Sequence, residues 1–182
     1  MRVISGSRRG AKLITREDEF VRPTTDRVKE SMFNLIGMFF PCKKVLDLFA
    51  GSGALSIEAI SRGAKDAVCV DADKLSLDIV KRNYANLRFS ENAEFFLCDA
   101  LTFLSKCTDE YDIIFLDPPY NKGLIAPVME LLNKRGLLSS DGIIVLESDN
   151  TEALPDFSGF YVFKQRKYGR TLVTLYKKEV ES

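Results

Sequence analysis

The sequence predicts an α/β fold: a mostly parallel, seven-stranded sheet with helices on both faces, a C-terminal antiparallel hairpin and a small N-terminal hairpin-plus-helix extension. Three observations carry this. From Lys44 onward, short apolar runs alternate with segments of helical spacing, the pattern of parallel strands buried on both sides. The last two strand-like runs are joined by a short turn around Gly169, which can only connect antiparallel strands. Each of the first four runs ends in or next to an aspartate, which places four acids along one edge of the sheet.

The elements follow in order. Arg2–Ser5 and Ala11–Thr15 flank Gly6 and Gly10 and read as a short hairpin. Pro23 and Thr24-Thr25-Asp26 offer helix-capping chemistry, and Val28, Met32, Leu35, Ile36 and Phe39 then recur at helical spacing until Pro41. Strands are expected at Val45–Leu48, Ala67–Val70, Glu94–Leu97, Ile113–Leu116 and Ile143–Leu146. Helices are expected between them at Leu55–Ser61, Leu75–Leu87, Leu101–Lys106 and Leu124–Leu132, with Gly63 and Gly136 where helices should stop. Phe160–Gln165 and Thr171–Tyr176 form the closing hairpin. The 182 residues suit one domain, with residues 1–43 as the extension and 44–182 as the core.

Composition narrows the function. No apolar run approaches the roughly 20 residues that span a bilayer, and the N-terminus lacks the apolar centre of a signal peptide, so a cytoplasmic protein without a membrane partner is expected. Histidine is absent, which excludes a histidine base, nucleophile partner or ligand. Cys42, Cys69, Cys98 and Cys107 form no CxxC pair, so no metal is expected, and Cys69 and Cys98 read as buried thiols. The net charge is zero but unevenly spread: residues 1–16 and 157–178 carry only basic charge. Such ends suit an anionic partner such as nucleic acid, or are solvated strand faces.

Ligands of open α/β sheets bind beyond the carboxyl ends of the strands, where Asp47, Asp71, Asp99 and Asp117 fall. Gly51 and Gly53 in "VLDLFAGSGAL" allow a tight turn before a helix, but Ser56 stands where a dinucleotide fingerprint has its third glycine. Asp71 lies 24 residues after Asp47, suitable for an acid on two ribose hydroxyls.

"DLFAGSGAL", "VCVDAD", "CDA" and "DPPY" resemble, in order and spacing, the motifs of class I S-adenosylmethionine-dependent methyltransferases, which have a Rossmann-like fold. "MRVISGSRRGAKL", "RPTTDRVKESMFNLI" and "KYGRT" resemble the two ends of the RsmD-type bacterial small-subunit rRNA guanine-N2 methyltransferases. The resemblance implies S-adenosylmethionine as cofactor, S-adenosylhomocysteine as product and 16S rRNA as partner, in a small subunit or an assembly intermediate. Asp47, Phe49, Ala50, Gly51, Ser52 and Gly53 would form the loop under the methionine part of the cofactor. Asp71, with Ala72 beside it, would hold the ribose; Asp99 and Ala100 would contact the adenine; Asp117 would border the site.

The run "IIFLDPPY" gives the chemistry its place. An exocyclic base amino group is a poor nucleophile because its lone pair is delocalised. Asp117 and the carbonyl of Pro118 offer two acceptors for its hydrogens, Pro118 and Pro119 stiffen the corner, and Tyr120 offers a stacking face worth about 1–3 kcal/mol. The target base must be unstacked, which suits an RNA loop or single strand. Arg8, Arg9, Lys12, Arg22, Arg27 and Lys29 are candidate RNA contacts, with Arg166, Lys167 and Arg170 as a second patch; each is otherwise ordinary surface charge. DPPY alone serves any planar amino group. DNA adenine, a protein glutamine amide, or a non-catalytic RNA-binding module therefore stay open at this point, and so does the oligomeric state, with a monomer as the default expectation.

Overall fold

The computed structural model describes residues 1–16, 26–37, 44–119 and 122–179. Its sheet has seven strands: β1 (Lys44–Asp47), β2 (Asp66–Asp71), β3 (Ala93–Leu97), β4 (Tyr111–Leu116), β5 (Leu138–Asp149), β6 (Phe160–Tyr168) and β7 (Thr171–Lys178). The order across the sheet is β3-β2-β1-β4-β5-β7-β6. The first five strands are parallel, and β7 is antiparallel to both β5 and β6. The helices are α1 (Asp26–Ile36), α2 (Ala54–Ser61), α3 (Lys74–Asn86), α4 (Ala100–Lys106) and α5 (Ile125–Arg135).

Side chains alternate across each strand, and two apolar cores result. Val45, Cys69, Phe115, Val145 and Val173 face Met32, Phe33 and Ile36 of α1, Ile57 of α2 and Val80 of α3. Leu46, Val70, Ile114, Leu116 and Leu146 face Leu104 of α4 and Val128, Met129 and Leu132 of α5. Both faces of the central strands are dry, which is why they read as unbroken apolar runs.

One expectation gains detail and two change. The N-terminal hairpin is short, with Arg2 bridged to Lys12 and backbone bonds from Val3 to Ala11 and from Leu13 to Met1, and the segment between its two sides also bonds α2 through Glu58 and Ser61. β5 starts at Leu138, since its polar Ser139-Ser140-Asp141-Gly142 segment is extended, with a register shift, rather than a turn. Cys69 is buried, but Cys98 lies beyond β3 and is only half-buried. Pro23, Thr24, Thr25, Phe39, Pro41 and Cys42 lie outside the described residues.

The N-terminal arm is bound to α2 by a buried ion-pair network. Glu58, fully buried, accepts the backbone N–H of Ile4 at 2.7 Å and of Ser5 at 3.0 Å, and Nε of Arg62 at 2.8 Å. The buried Lys29 Nζ lies 3.5 Å from Glu58 and donates to the Arg2 carbonyl at 2.6 Å. Burial lowers the Lys29 pKa, with Glu58 opposing. A Cβ at Gly6 would run into the Ser61 carbonyl, so only glycine lets the arm come this close.

Candidate active site

The chain order switches direction at β1: β2 and β3 lie on one side of it, β4 and β5 on the other. A crevice opens beyond the carboxyl ends at such a point. In the register, Asp47 lies beside Cys69 on β2 and Phe115 on β4. Asp71 ends β2 two residues beyond Cys69, and Asp117 follows the end of β4 two residues beyond Phe115. Two acids thus stand at the carboxyl ends of the strands on either side of β1.

That loop is shaped by its glycines. Gly51 and Gly53 have φ of +53° and +76°. A Cβ at Gly53 would strike the Val80 side chain of α3, whereas at Gly51 it would make only an ordinary contact with the Phe49 carbonyl at 4.0 Å. The Gly51 N–H donates to Asp71 at 2.8 Å, and the Asp73 N–H donates to the other oxygen of the same carboxylate at 2.8 Å. Each oxygen keeps a lone pair for a further donor such as a ribose hydroxyl. Burial raises the Asp71 pKa, and its two backbone N–H donors oppose that. The residues therefore fit a cofactor carrying a vicinal diol, with room over Gly51. Phe49 and Ser52 are half-buried, Ala50 is buried and Ala72 is exposed along these two loops.

Asp47 sits beneath the loop, buried, accepting the Ser56 N–H at 3.3 Å. Burial pushes its carboxyl up to about 6, although the Ser56 contacts lower it. Since the folded protein holds this proton to higher pH than the unfolded chain, the resulting stability is full below about pH 4 and is lost as pH rises through 6. Asp47→Asn should then match wild type at pH 4 and exceed it by about 3 kcal/mol at pH 8. Denaturant titrations at both pH values check this, and an equal gap at both would contradict it.

Asp99 is exposed and caps α4, accepting the Thr102 N–H at 2.8 Å and the Thr102 hydroxyl at 2.6 Å, bonds that lower its pKa. Ala100 behind it is buried. On β4 the strand stops at Leu116; Asp117 is half-buried, Pro118 buried and Pro119 exposed. Tyr120 lies outside the described residues.

The proposed RNA contacts divide. Arg9, Lys12 and Arg27 are exposed, as are Arg166, Lys167 and Arg170 near the turn between β6 and β7. Because Thr171 pairs with Asp149 at the carboxyl end of β5, that turn stands on the same edge of the sheet as Asp117. Arg170 also pairs with Asp149 at 3.0 Å. Lys29 is a correction: it is wholly buried against Glu58 and cannot reach RNA. Arg8 is also turned inward, donating from Nε to the Leu87 carbonyl at 2.9 Å with its guanidinium over the Phe89 ring. Arg22 lies outside the described residues. Sequence reasoning missed Asn83, Arg16 and Asp73, which tie the arm to both cofactor loops. A signal existed for Asn83, a polar residue among Leu77, Val80 and Tyr84 on the buried face of α3.

The strand order, the glycine loop after β1 and the acid ending β2 define a Rossmann-like class I methyltransferase. Comparison with known proteins narrows the class. The family model described as "Conserved hypothetical protein 95" matches residues 1–177, and the chain belongs to this family. The YlbH protein of Bacillus subtilis is 42% identical over 182 residues, covering 98% of this chain and 99% of that protein. Ribosomal RNA small subunit methyltransferase D of Escherichia coli is 34% identical over 182 residues, covering 100% of this chain and 91% of that protein. The solved structure of the yhhF protein of Escherichia coli superposes with a TM-score of 0.89 at 33% identity, covering 100% of this chain and 99% of that one. Among the described residues no cluster of acids and cysteines could hold a metal ion, and no helix is long and apolar enough to cross a membrane.

Proposed function

We propose that this protein transfers a methyl group from S-adenosylmethionine to the exocyclic N2 of a guanine in 16S rRNA, in the cytoplasm, on a small subunit or an assembly intermediate. The observation that carries the reading is the pair of acids, Asp71 and Asp117, at the carboxyl ends of β2 and β4, the two strands that flank β1 and its glycine loop. The name of the Escherichia coli relative supports the RNA class. Guanine N2 rests on the resemblance of the chain's two ends.

When bound, the cofactor supplies a methyl group on a positively charged sulfur. Asp71 accepts hydrogen bonds from the ribose hydroxyls, Asp99 and Ala100 border the adenine, and residues 49–53 pass beneath the methionine part. Asp117 and the Pro118 carbonyl accept the two amino hydrogens of the base, which turns the nitrogen lone pair out of the ring plane and aims it at the methyl carbon. Orientation and fixed acceptors supply most of the rate effect. Transfer would break the methyl–sulfur bond as the N–C bond forms, leaving the electron pair on the sulfur of S-adenosylhomocysteine, and the extra proton on the nitrogen would pass to Asp117 or directly to water. The stiff proline corner keeps the acceptors in place.

Calorimetry with S-adenosylhomocysteine tests the cofactor half, with one site per chain expected; binding of a nicotinamide dinucleotide in its place would overturn it. The RNA half predicts that replacing Arg9 and Lys12 with Ala weakens binding to small subunits and lowers the salt slope by about 2, while affinity for S-adenosylhomocysteine stays within twofold. An unchanged salt slope would remove the arm from the RNA interface.

A further inference from the structure

Residues 14–16 leave the arm and touch two loops that no local interaction requires them to touch. The Asn83 side chain on α3 accepts the Ile14 N–H at 2.8 Å and donates to the Ile14 carbonyl at 2.9 Å. The same amide nitrogen donates to the carbonyl of Ser52, in the glycine loop, at 2.8 Å. Two residues on, the Arg16 guanidinium donates to Asp73 at 2.7 Å. Asp73 in turn caps α3 through Ser76, and its own N–H is held by the carboxylate of Asp71. One short run is thus fastened to the loop after β1 and to the loop after β2, the two loops that a nucleotide cofactor must grip together.

We propose that Asn83 and Arg16 are positioning residues that join the N-terminal arm to the cofactor loops, so that cofactor binding and RNA binding strengthen each other. The proposal rests on the reading of the arm as an RNA-contacting element. Its physics is that of shared ordering. A cofactor spanning Asp71 and Gly51 fixes the separation of the two loops. Both anchors of the arm are then fixed without further cost, and Arg9 and Lys12 are presented to RNA in one arrangement. RNA held on the arm fixes the same anchors from the other side, so the gain is reciprocal. Asn83 is suited to the task because its amide makes three hydrogen bonds to two segments at once, a pattern that neither aspartate nor leucine can supply. Arg16 and Asp73 are partly exposed, at 26% and 47% of their side chains, so their pair adds little to overall stability and can be removed without unfolding the protein.

The test measures affinity for unmethylated small subunits with and without saturating S-adenosylhomocysteine. In wild type the product should tighten subunit binding about tenfold. In Arg16→Ala the gain should fall below twofold, with KM for both substrates raised but kcat at saturation within about threefold of wild type. Arg16→Lys, which keeps a cation facing Asp73, should retain part of the linkage. Asn83→Ala should lose the linkage as well, and Arg16→Ala keeps the test decisive if that buried variant folds poorly. The proposal is overturned if wild type methylates subunits but shows no linkage, or if Arg16→Ala keeps the full tenfold. If wild type neither binds nor methylates subunits, the RNA reading falls together with the proposal.

Discussion

Asp117→Ala should lower methyl transfer to small subunits by about a thousandfold, the scale seen when one preorganised hydrogen-bonding group is removed from a reacting centre. S-adenosylhomocysteine should still bind within about threefold, because Asp71, the acid proposed to hold the ribose, ends β2 on the other side of β1. Asp117→Asn separates orientation from proton removal. Its side-chain carbonyl still accepts one amino hydrogen, so a residual activity ten- to a hundredfold above that of the alanine variant marks Asp117 as an orienting group. If Asn and Ala are equally inactive, the negative charge itself is needed. A fully active Asp117→Ala would remove this residue from the chemistry.

Glu58→Ala should destabilise the protein by about 3–5 kcal/mol, the cost of leaving a buried charge without its partner. Glu58 takes two arm N–H groups, the buried Lys29 and Arg62. Its removal leaves the Lys29 ammonium buried against the Arg2 carbonyl at 2.6 Å, with no carboxylate from Glu58 beside it. The arm N–H groups of Ile4 and Ser5 lose their acceptor in the same step. Arg62→Ala should cost far less, because Arg62 is partly exposed and leaves Glu58 with its other donors. Equilibrium unfolding in denaturant checks both, and a loss below 1 kcal/mol for Glu58→Ala would mean that the arm is held by its apolar contacts alone. Because Val3 and Leu13 also join the core, such an arm would stay docked.

Most of the sheet was legible because buried parallel strands are apolar on both faces and glycine or proline marks their ends. The acids were legible for the same reason: Asp47, Asp71 and Asp117 interrupt or terminate runs that are otherwise apolar. Their gathering around β1 was not, since it depends on which strands neighbour β1, and local sequence does not state that order. Lys29 shows the limit more sharply. Its spacing from Met32, Phe33 and Ile36 puts it on the buried stripe of α1, yet its partner Glu58 lies on another helix, 29 residues away. Beside Arg27 it therefore read as surface charge. Asp99 was legible as a strand-end acid, while its role as the cap of α4 emerges only from its bonds to Thr102. The β5 extension was missed because Ser-Ser-Asp-Gly carries the composition of a turn, while pairing with Tyr111 holds its start extended.

The central claim is tested most directly by incubating the purified protein with labelled S-adenosylmethionine and small ribosomal subunits from cells lacking the corresponding enzyme, followed by nucleoside analysis of the 16S rRNA. The account predicts stoichiometric label in N2-methylguanosine at one position. Label in any other nucleoside, or no transfer to subunits or to free 16S rRNA, would contradict it.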